Sequence, residues 1–173
     1  MNKIYLLISF LLVCGCTSLP EGIEPVKDFD LGKYMGKWYE IARLDHSFER
    51  GLTHVTAEYR LMDDGSVQVI NSGYSADDNE FSSIEGKAYL VRGKREGYLK
   101  VSFFGPFYSS YVVFNLGENY EYSMVTSSDR SYLWLLSRTQ TVNDSVIELF
   151  IKESRELGFD TEKLIFVDQN LIK

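Results

Sequence analysis

Val55-Thr56-Ala57-Glu58-Tyr59-Arg60-Leu61 alternates apolar and polar residues without a break, so odd positions can face a core and even positions water. A period of two sustained over such a run marks a half-buried β-strand. The pattern recurs downstream. Ile84-Glu85-Gly86-Lys87-Ala88-Tyr89-Leu90 repeats it with small residues on the inner face, and Leu99-Lys100-Val101-Ser102-Phe103 repeats it again. Asp63-Asp64-Gly65 is a tight turn leading into residues 67–70, and residues 92–97 read as a further loop. Residues 111–116, 120–125 and 132–136 are apolar on both faces and are separated by Gly117-Glu118-Asn119 and by residues 127–130. With residues 38–42 this makes eight strands at near-regular spacing and no helix between them. An all-β, eight-stranded antiparallel up-and-down β-barrel follows, because closure removes the sheet edges.

One segment leaves this rhythm. Thr141 and Asp144 stand as a capping-box-like pair, Val142, Val146, Phe150 and Leu157 recur near helical spacing, and Gly158 ends the run. This predicts one C-terminal amphipathic α-helix packed outside the barrel, followed by a last short strand at residues 164–167.

The N-terminus carries an address. Lys3 precedes a run of apolar residues at 4–13, and Gly15 supplies a small residue before Cys16. This is a secretory signal, since a spanning helix needs about 20 apolar residues. Val13-Cys14-Gly15-Cys16 resembles the bacterial lipobox, whose last cysteine is diacylglycerated, freed at its amine and acylated again. Cys14 fits that role poorly, because bulky Val13 occupies the small position before it. Cleavage after Gly15 leaves Cys16 as the only cysteine, so no intramolecular disulfide can form. Several acyl chains exceed the two signals that stable anchoring needs. Thr17, a residue other than Asp, by resemblance permits sorting to the Gram-negative outer membrane. The domain reading is therefore a signal peptide at 1–15, a lipidated tether at 16–27 rich in Pro and Gly, and one domain at 28–173.

Losing Lys3 takes the formal charge from −7 to −8. An acidic globule excludes binding to nucleic acid or charge-driven attachment to anionic lipid, so membrane contact comes from the anchor.

Gly36-Lys37-Trp38-Tyr39-Glu40 resembles the Gly-x-Trp signature of the lipocalins, which opens the first barrel strand. Ser128-Asp129-Arg130-Ser131-Tyr132 is a loose form of the second motif, where Thr-Asp-Tyr is usual, and Leu136-Ser137-Arg138 matches the third. More narrowly, residues 36–52 and 101–108 are similar to the bacterial outer-membrane lipoprotein lipocalins. The resemblance covers nearly the whole mature chain. It implies that Trp38 closes the barrel base and Arg138 lies across it, where a guanidinium over an indole gains about 0.5–2 kcal/mol.

An eight-stranded barrel can hold one small ligand. Alternation assigns Val55, Ala57, Tyr59, Ile84, Gly86, Ala88, Leu99, Val101 and Phe103 to its lining, and the resemblance adds Tyr132, Trp134 and Leu136. Small Ala57, Gly86 and Ala88 would leave room for a chain; the alternative is a barrel filled by its own side chains. His46 and His54, the only histidines, read as loop or surface residues, and Arg43, Glu49 and Arg50 as a solvated loop that could also meet a polar headgroup. No His-Glu-x-x-His, Gly-x-Ser-x-Gly or Gly-rich phosphate loop is present, and Gly73-Tyr74-Ser75-Ala76-Asp77 lacks the final glycine of a nucleophile elbow. No catalytic residue, metal or cofactor is expected. Phe103-Phe104-Gly105-Pro106-Phe107-Tyr108 is unusually apolar for a turn and suits a lipid-facing lip, a contact in a homodimer, or a loop folded over the barrel. The function these readings imply is storage or transport of a fatty acid or lysophospholipid in the cell envelope. A lipid-metabolising enzyme on the same scaffold and a structural lipoprotein with a filled barrel are the alternatives.

Overall fold

Strand after strand pairs with its sequence neighbour until the sheet closes on itself. The protein's structure, a computed structural model, describes residues 18–170; the signal segment and Cys16 lie outside the described residues. The barrel strands are β1 (Gly36–Leu44), β2 (Leu52–Leu61), β3 (Val67–Ser75), β4 (Glu80–Leu90), β5 (Tyr98–Ser102), β6 (Ser109–Leu116), β7 (Tyr122–Thr126) and β8 (Leu133–Ser137). All ladders are antiparallel, and β1 closes the ring by pairing with both β2 and β8. A short α1 (Leu31–Tyr34) precedes the barrel, and α2 (Asp144–Glu156) and β9 (Leu164–Phe166) follow it. One barrel end, the base, carries α1 and the loops after β2, β4 and β6. The other, the mouth, carries the loops after β1, β3, β5 and β7.

The packing is in two layers. Inside the base lie Trp38, Tyr59, Val67, Val69, Leu99, Val113 and Val125. Outside, Phe150 of α2, with Val146 and Leu149 beside it, covers Ile41, Val112, Met124 and Leu135 on the opposite face of the same strands. This explains why the later strands read as apolar on both faces: one side fills the barrel and the other receives the helix. The pair Thr141 and Asp144 does not cap α2. The N-cap is Asn143, which makes no side-chain cap bond, and the Thr141 carbonyl instead accepts from the Thr139 hydroxyl.

β3 and β4 extend much further toward the mouth than their alternation indicates, with register held as far as Ser75↔Glu80. Backbone pairing continues there although Asn71-Ser72-Gly73 carries no apolar signal. The β4–β5 ladder, by contrast, spans only Lys87–Leu90 against Leu99–Ser102, so the wall is open above it on the mouth side. β1 and β2 also part above Tyr39↔Thr56, and the C-terminal tail seals that gap. Gln169 donates to the carbonyls of Glu40 and Val55 at 2.9 and 2.8 Å, and the His54 amide donates to the Asp168 carbonyl at 2.8 Å.

The segment that composition reads as tether lies against the barrel over residues 18–27. Ile23 is buried among Ile41, Leu133 and Phe159 in the outer layer, and the Val26 amide donates to the Val113 carbonyl at 2.9 Å. Proline and glycine interrupt its periodicity without preventing single apolar residues from docking.

Candidate functional site in the barrel lumen

The base is closed by stacked side chains and stranded carbonyls that Arg138 collects. Trp38 is fully buried and its indole donates to the Tyr34 carbonyl at 2.9 Å. The Arg138 guanidinium sits 3.8 Å from the indole centroid and donates to the carbonyls of Lys33, Lys37 and Tyr120 at 2.7, 3.0 and 3.3 Å. Gly36 has φ +93°, and a Cβ there would stand 3.5 Å from Arg138 Nη1. Glycine is thus required by the backbone conformation at this position. Arg138→Ala removes the cation–π contact and leaves carbonyls without a donor, with an expected loss of about 1–3 kcal/mol in urea unfolding. An unchanged midpoint would show that these contacts contribute nothing.

Above this floor three tyrosines meet. The Tyr34 and Tyr59 hydroxyls lie 2.7 and 2.9 Å from that of Tyr111, and Tyr34 also reaches Ser123 Oγ at 3.0 Å. Burial pushes the Tyr34 hydroxyl up to about 12 and raises Tyr59 and Tyr111 well above the ordinary phenol value. All three stay neutral at physiological pH, so the lumen floor is polar but uncharged.

The space above is a cavity of about 510 Å³. This falls inside the range of about 300–1,000 Å³ typical of small-molecule sites, and the lumen is therefore hollow. Every position assigned to the lining by sequence borders it except Gly86. A Cβ at Gly86 would lie 2.7 Å from both the Phe103 ring and the Ser102 carbonyl. That glycine makes room for Phe103, not for a ligand. Sequence reasoning passed over Val67, Val69 and Asn71 of β3, which also face the cavity. Val67-Gln68-Val69-Ile70-Asn71 has the necessary alternation at Val67 and Val69; polar Asn71 carries no such signal. A groove of similar volume on the outer face of β1–β3 is lined by Lys37, His54, Glu58, Gln140 and Gln169 among others. Its charged, open wall does not suit an apolar chain.

Arg43 and Glu49, read as part of a solvated loop, and His46, read as a loop or surface residue, instead join Glu40 in a buried charge cluster at the upper wall. Arg43, Glu40, His46 and Glu49 are all buried. Arg43 donates to Glu40 Oε1 at 2.6 Å and to the carbonyls of Glu49 and Leu52 at 2.7 and 3.3 Å. Glu49 Oε2 accepts from the Trp134 indole at 3.1 Å and lies 3.0 Å from His46 Nε2. Burial, and then the charge of Glu49, hold the Glu40 carboxyl well above the usual range against the pull of Arg43. Burial acts the same way on Glu49, but contacts with His46, Trp134 and Arg43 outweigh it and lower its pKa. The cause of the burial is a β-bulge between Glu40 and Ala42. It turns Ile41 and Ala42 to the outer layer together, and so brings Arg43 to the same side as Glu40. Only Arg50 fits the solvated reading: it is exposed and pairs with Asp45 at 2.7 Å.

His46 stacks on Phe48 with centroids 4.0 Å apart and sits 5.2 Å from Trp134. His54, half-buried on β2, bonds Thr53 Oγ1 at 2.9 Å through Nδ1 and the Asn170 carbonyl through Nε2. Ser75 donates to Asp78 at 2.7 Å. Among the described residues no cluster of three or more His, Cys, Asp or Glu could hold a metal ion.

A lipocalin-like domain model matches residues 29–169. The outer membrane lipoprotein Blc of Vibrio cholerae serotype O1 is 56% identical over 170 residues, spanning 98% of this chain and 99% of that protein. The lipoprotein of the same name from Escherichia coli K12 is 48% identical over 162 residues, spanning 93% and 92%. Insecticyanin from the tobacco hornworm Manduca sexta superposes with a TM-score of 0.69 at 23% identity over 87% of this chain and 86% of that one, a likeness of fold. A closed eight-stranded barrel with one external helix, a Trp–Arg base and these relatives together place the chain in the lipocalin family, among the lipid-anchored outer-membrane lipoproteins of bacteria.

Proposed function

We propose that the protein captures the acyl chain of a fatty acid or lysophospholipid in its barrel, for storage or transport within the envelope, and that it does so without catalysis. The observation carrying this reading is the cavity of about 510 Å³, walled by Val55, Val69, Leu99, Val101 and Leu136 and open toward the mouth. Each methylene that leaves water for such a wall contributes about 0.8 kcal/mol before ordering costs are subtracted. The mouth end of the cavity adds Glu49, Ser110, Ser127 and Tyr132, so a ligand with one apolar and one polar end matches the wall along its length. Cys16, acylated after removal of residues 1–15, holds the protein at the outer membrane.

Two measurements test this. Cys16→Ala is expected to abolish metabolic labelling by palmitate and to release the protein from membranes; persistent acylation would overturn the anchor assignment. Mass spectrometry of extracts from that released protein is expected to find fatty acids or lysophospholipids in near-stoichiometric amount. Recovery of no lipid would sink the carrier reading, and steady conversion of added lysophospholipid to products would establish the enzyme instead.

A further inference from the structure

Two opposite walls of the barrel touch across its centre. Tyr59 stands on β2 and Tyr111 on β6, four strands apart in either direction round the eight-stranded ring, yet their hydroxyl oxygens lie 2.9 Å from each other. A ligand that enters from the mouth therefore ends on this pair. Tyr34 of α1 holds the pair in place from below. Its ring packs on Phe29 and Trp38 with centroids 5.1 and 4.8 Å apart, stands 5.6 Å from the Tyr59 ring, and brings its own hydroxyl to 2.7 Å from that of Tyr111. From Leu52 at the mouth end of β2 to Tyr59 the strand advances roughly 23 Å, or about 18 Å of depth at the tilt usual for barrels. The floor lies far from any polar head held at the rim.

The hydroxyls form an open chain that runs Tyr59, Tyr111, Tyr34, Ser123, with four O–H groups and three contacts between them. Each hydroxyl carries one proton, so three contacts use three and the fourth is left at one end of the chain. At the Ser123 end it would point into a fully buried strand, where among the described residues Ser123 Oγ has no hydrogen-bond partner besides Tyr34. At the Tyr59 end it meets the cavity, which Tyr59 borders. An unmatched buried donor is the costlier arrangement, so donation runs from Ser123 toward Tyr59 and the spare proton faces the lumen. A plain acyl chain cannot answer it. Its terminal methyl expels the water that solvates these hydroxyls and returns no hydrogen bond. A site that presents a hydrogen-bonding group discriminates against the analogue without a partner for it, because its own polar groups are then stranded.

We infer that the floor formed by Tyr59 and Tyr111 selects acyl chains that carry a hydroxyl or carbonyl oxygen at the end remote from the polar head. That oxygen accepts from Tyr59, and a ligand hydroxyl donates in turn to the Tyr111 oxygen. The inference rests on capture of acyl chains in the lumen, and the experiment separates the two. The probes are ω-hydroxypalmitic acid and heptadecanoic acid, which differ only by a hydroxyl in place of a methyl. The variant is Tyr59→Phe/Tyr111→Phe, which keeps both rings and leaves Tyr34 paired with Ser123.

Each acid is titrated by displacement of bound cis-parinaric acid from the delipidated, membrane-released Cys16→Ala protein, with and without the two tyrosine substitutions. The protein with both tyrosines is expected to bind the hydroxy acid more tightly, and the variant to reverse that order, the ratio of the two affinities moving by about tenfold or more between them. Tighter binding of heptadecanoic acid by the tyrosine protein, or a ratio that the variant leaves unchanged, overturns the selection. An equal fall for both acids in the variant shows that the floor takes the carboxyl group and likewise overturns it. Urea unfolding reports whether the variant is folded. If it is not, the order in the tyrosine protein decides alone, because transfer from water to an apolar wall by itself favours the methyl. Binding of neither acid by the folded tyrosine protein overturns the carrier reading, and this selection with it.

Discussion

Arg43→Met should destabilise the fold by about 3–5 kcal/mol, the cost of breaking a buried ion pair by removing one partner. Among the described residues Arg43 is the one guanidinium acting on both Glu40 and Glu49, and it also satisfies the Glu49 and Leu52 carbonyls. Its loss leaves two buried carboxyl groups facing each other and two backbone acceptors without this donor. For a domain of this size each kcal/mol moves the melting temperature by about 2–4 °C, so a fall of roughly 10 °C is expected. The double variant Glu40→Gln/Arg43→Met should recover part of that loss, because the repulsion goes with the charge. A single variant costing less than about 1 kcal/mol in urea unfolding would mean that the cluster is solvated.

Asn71→Trp should leave the barrel folded and lower acyl-chain affinity at least tenfold, about 1.4 kcal/mol. Asn71 stands in register with Ala57 on β2 and Ile84 on β4, faces the cavity, and its Oδ1 has no hydrogen-bond partner, so no side-chain bond from that oxygen is lost. Titration with a fluorescent fatty acid or lysophospholipid, alongside urea unfolding, reads both quantities. Undiminished binding by a folded variant would place the lipid outside the lumen. Ala88, an obvious plug from the sequence alone, is a poorer choice. It lies between Val67 and Val101 and belongs to the buried base layer, where a tryptophan would overpack by about 1–3 kcal/mol and confound the result.

The buried cluster also shows why part of the site was invisible in the sequence. Strict alternation through Trp38-Tyr39-Glu40-Ile41-Ala42-Arg43-Leu44 puts Glu40 and Ala42 on one face and Arg43 on the other, toward water. One extra residue in the ladder reverses that assignment beyond the bulge. A hydropathy period cannot register a bulge. The mouth halves of β3 and β4 escaped for a related reason: polar residues on both faces erase the alternation while the backbone ladder persists.

What the sequence determined by itself was the strand count, the closure and most of the lining, because a period of two assigns each side chain to one face. The Trp38 and Arg138 motifs likewise marked the base. The tertiary structure alone decided that the lumen is hollow, since void volume depends on side chains summed across strands that are distant in the chain. It alone decided that Gly86 serves Phe103, that Arg43 is inside, and that residues 18–27 lie against the barrel. Each of these depends on which surface a residue meets after closure, and local pattern carries no record of that contact.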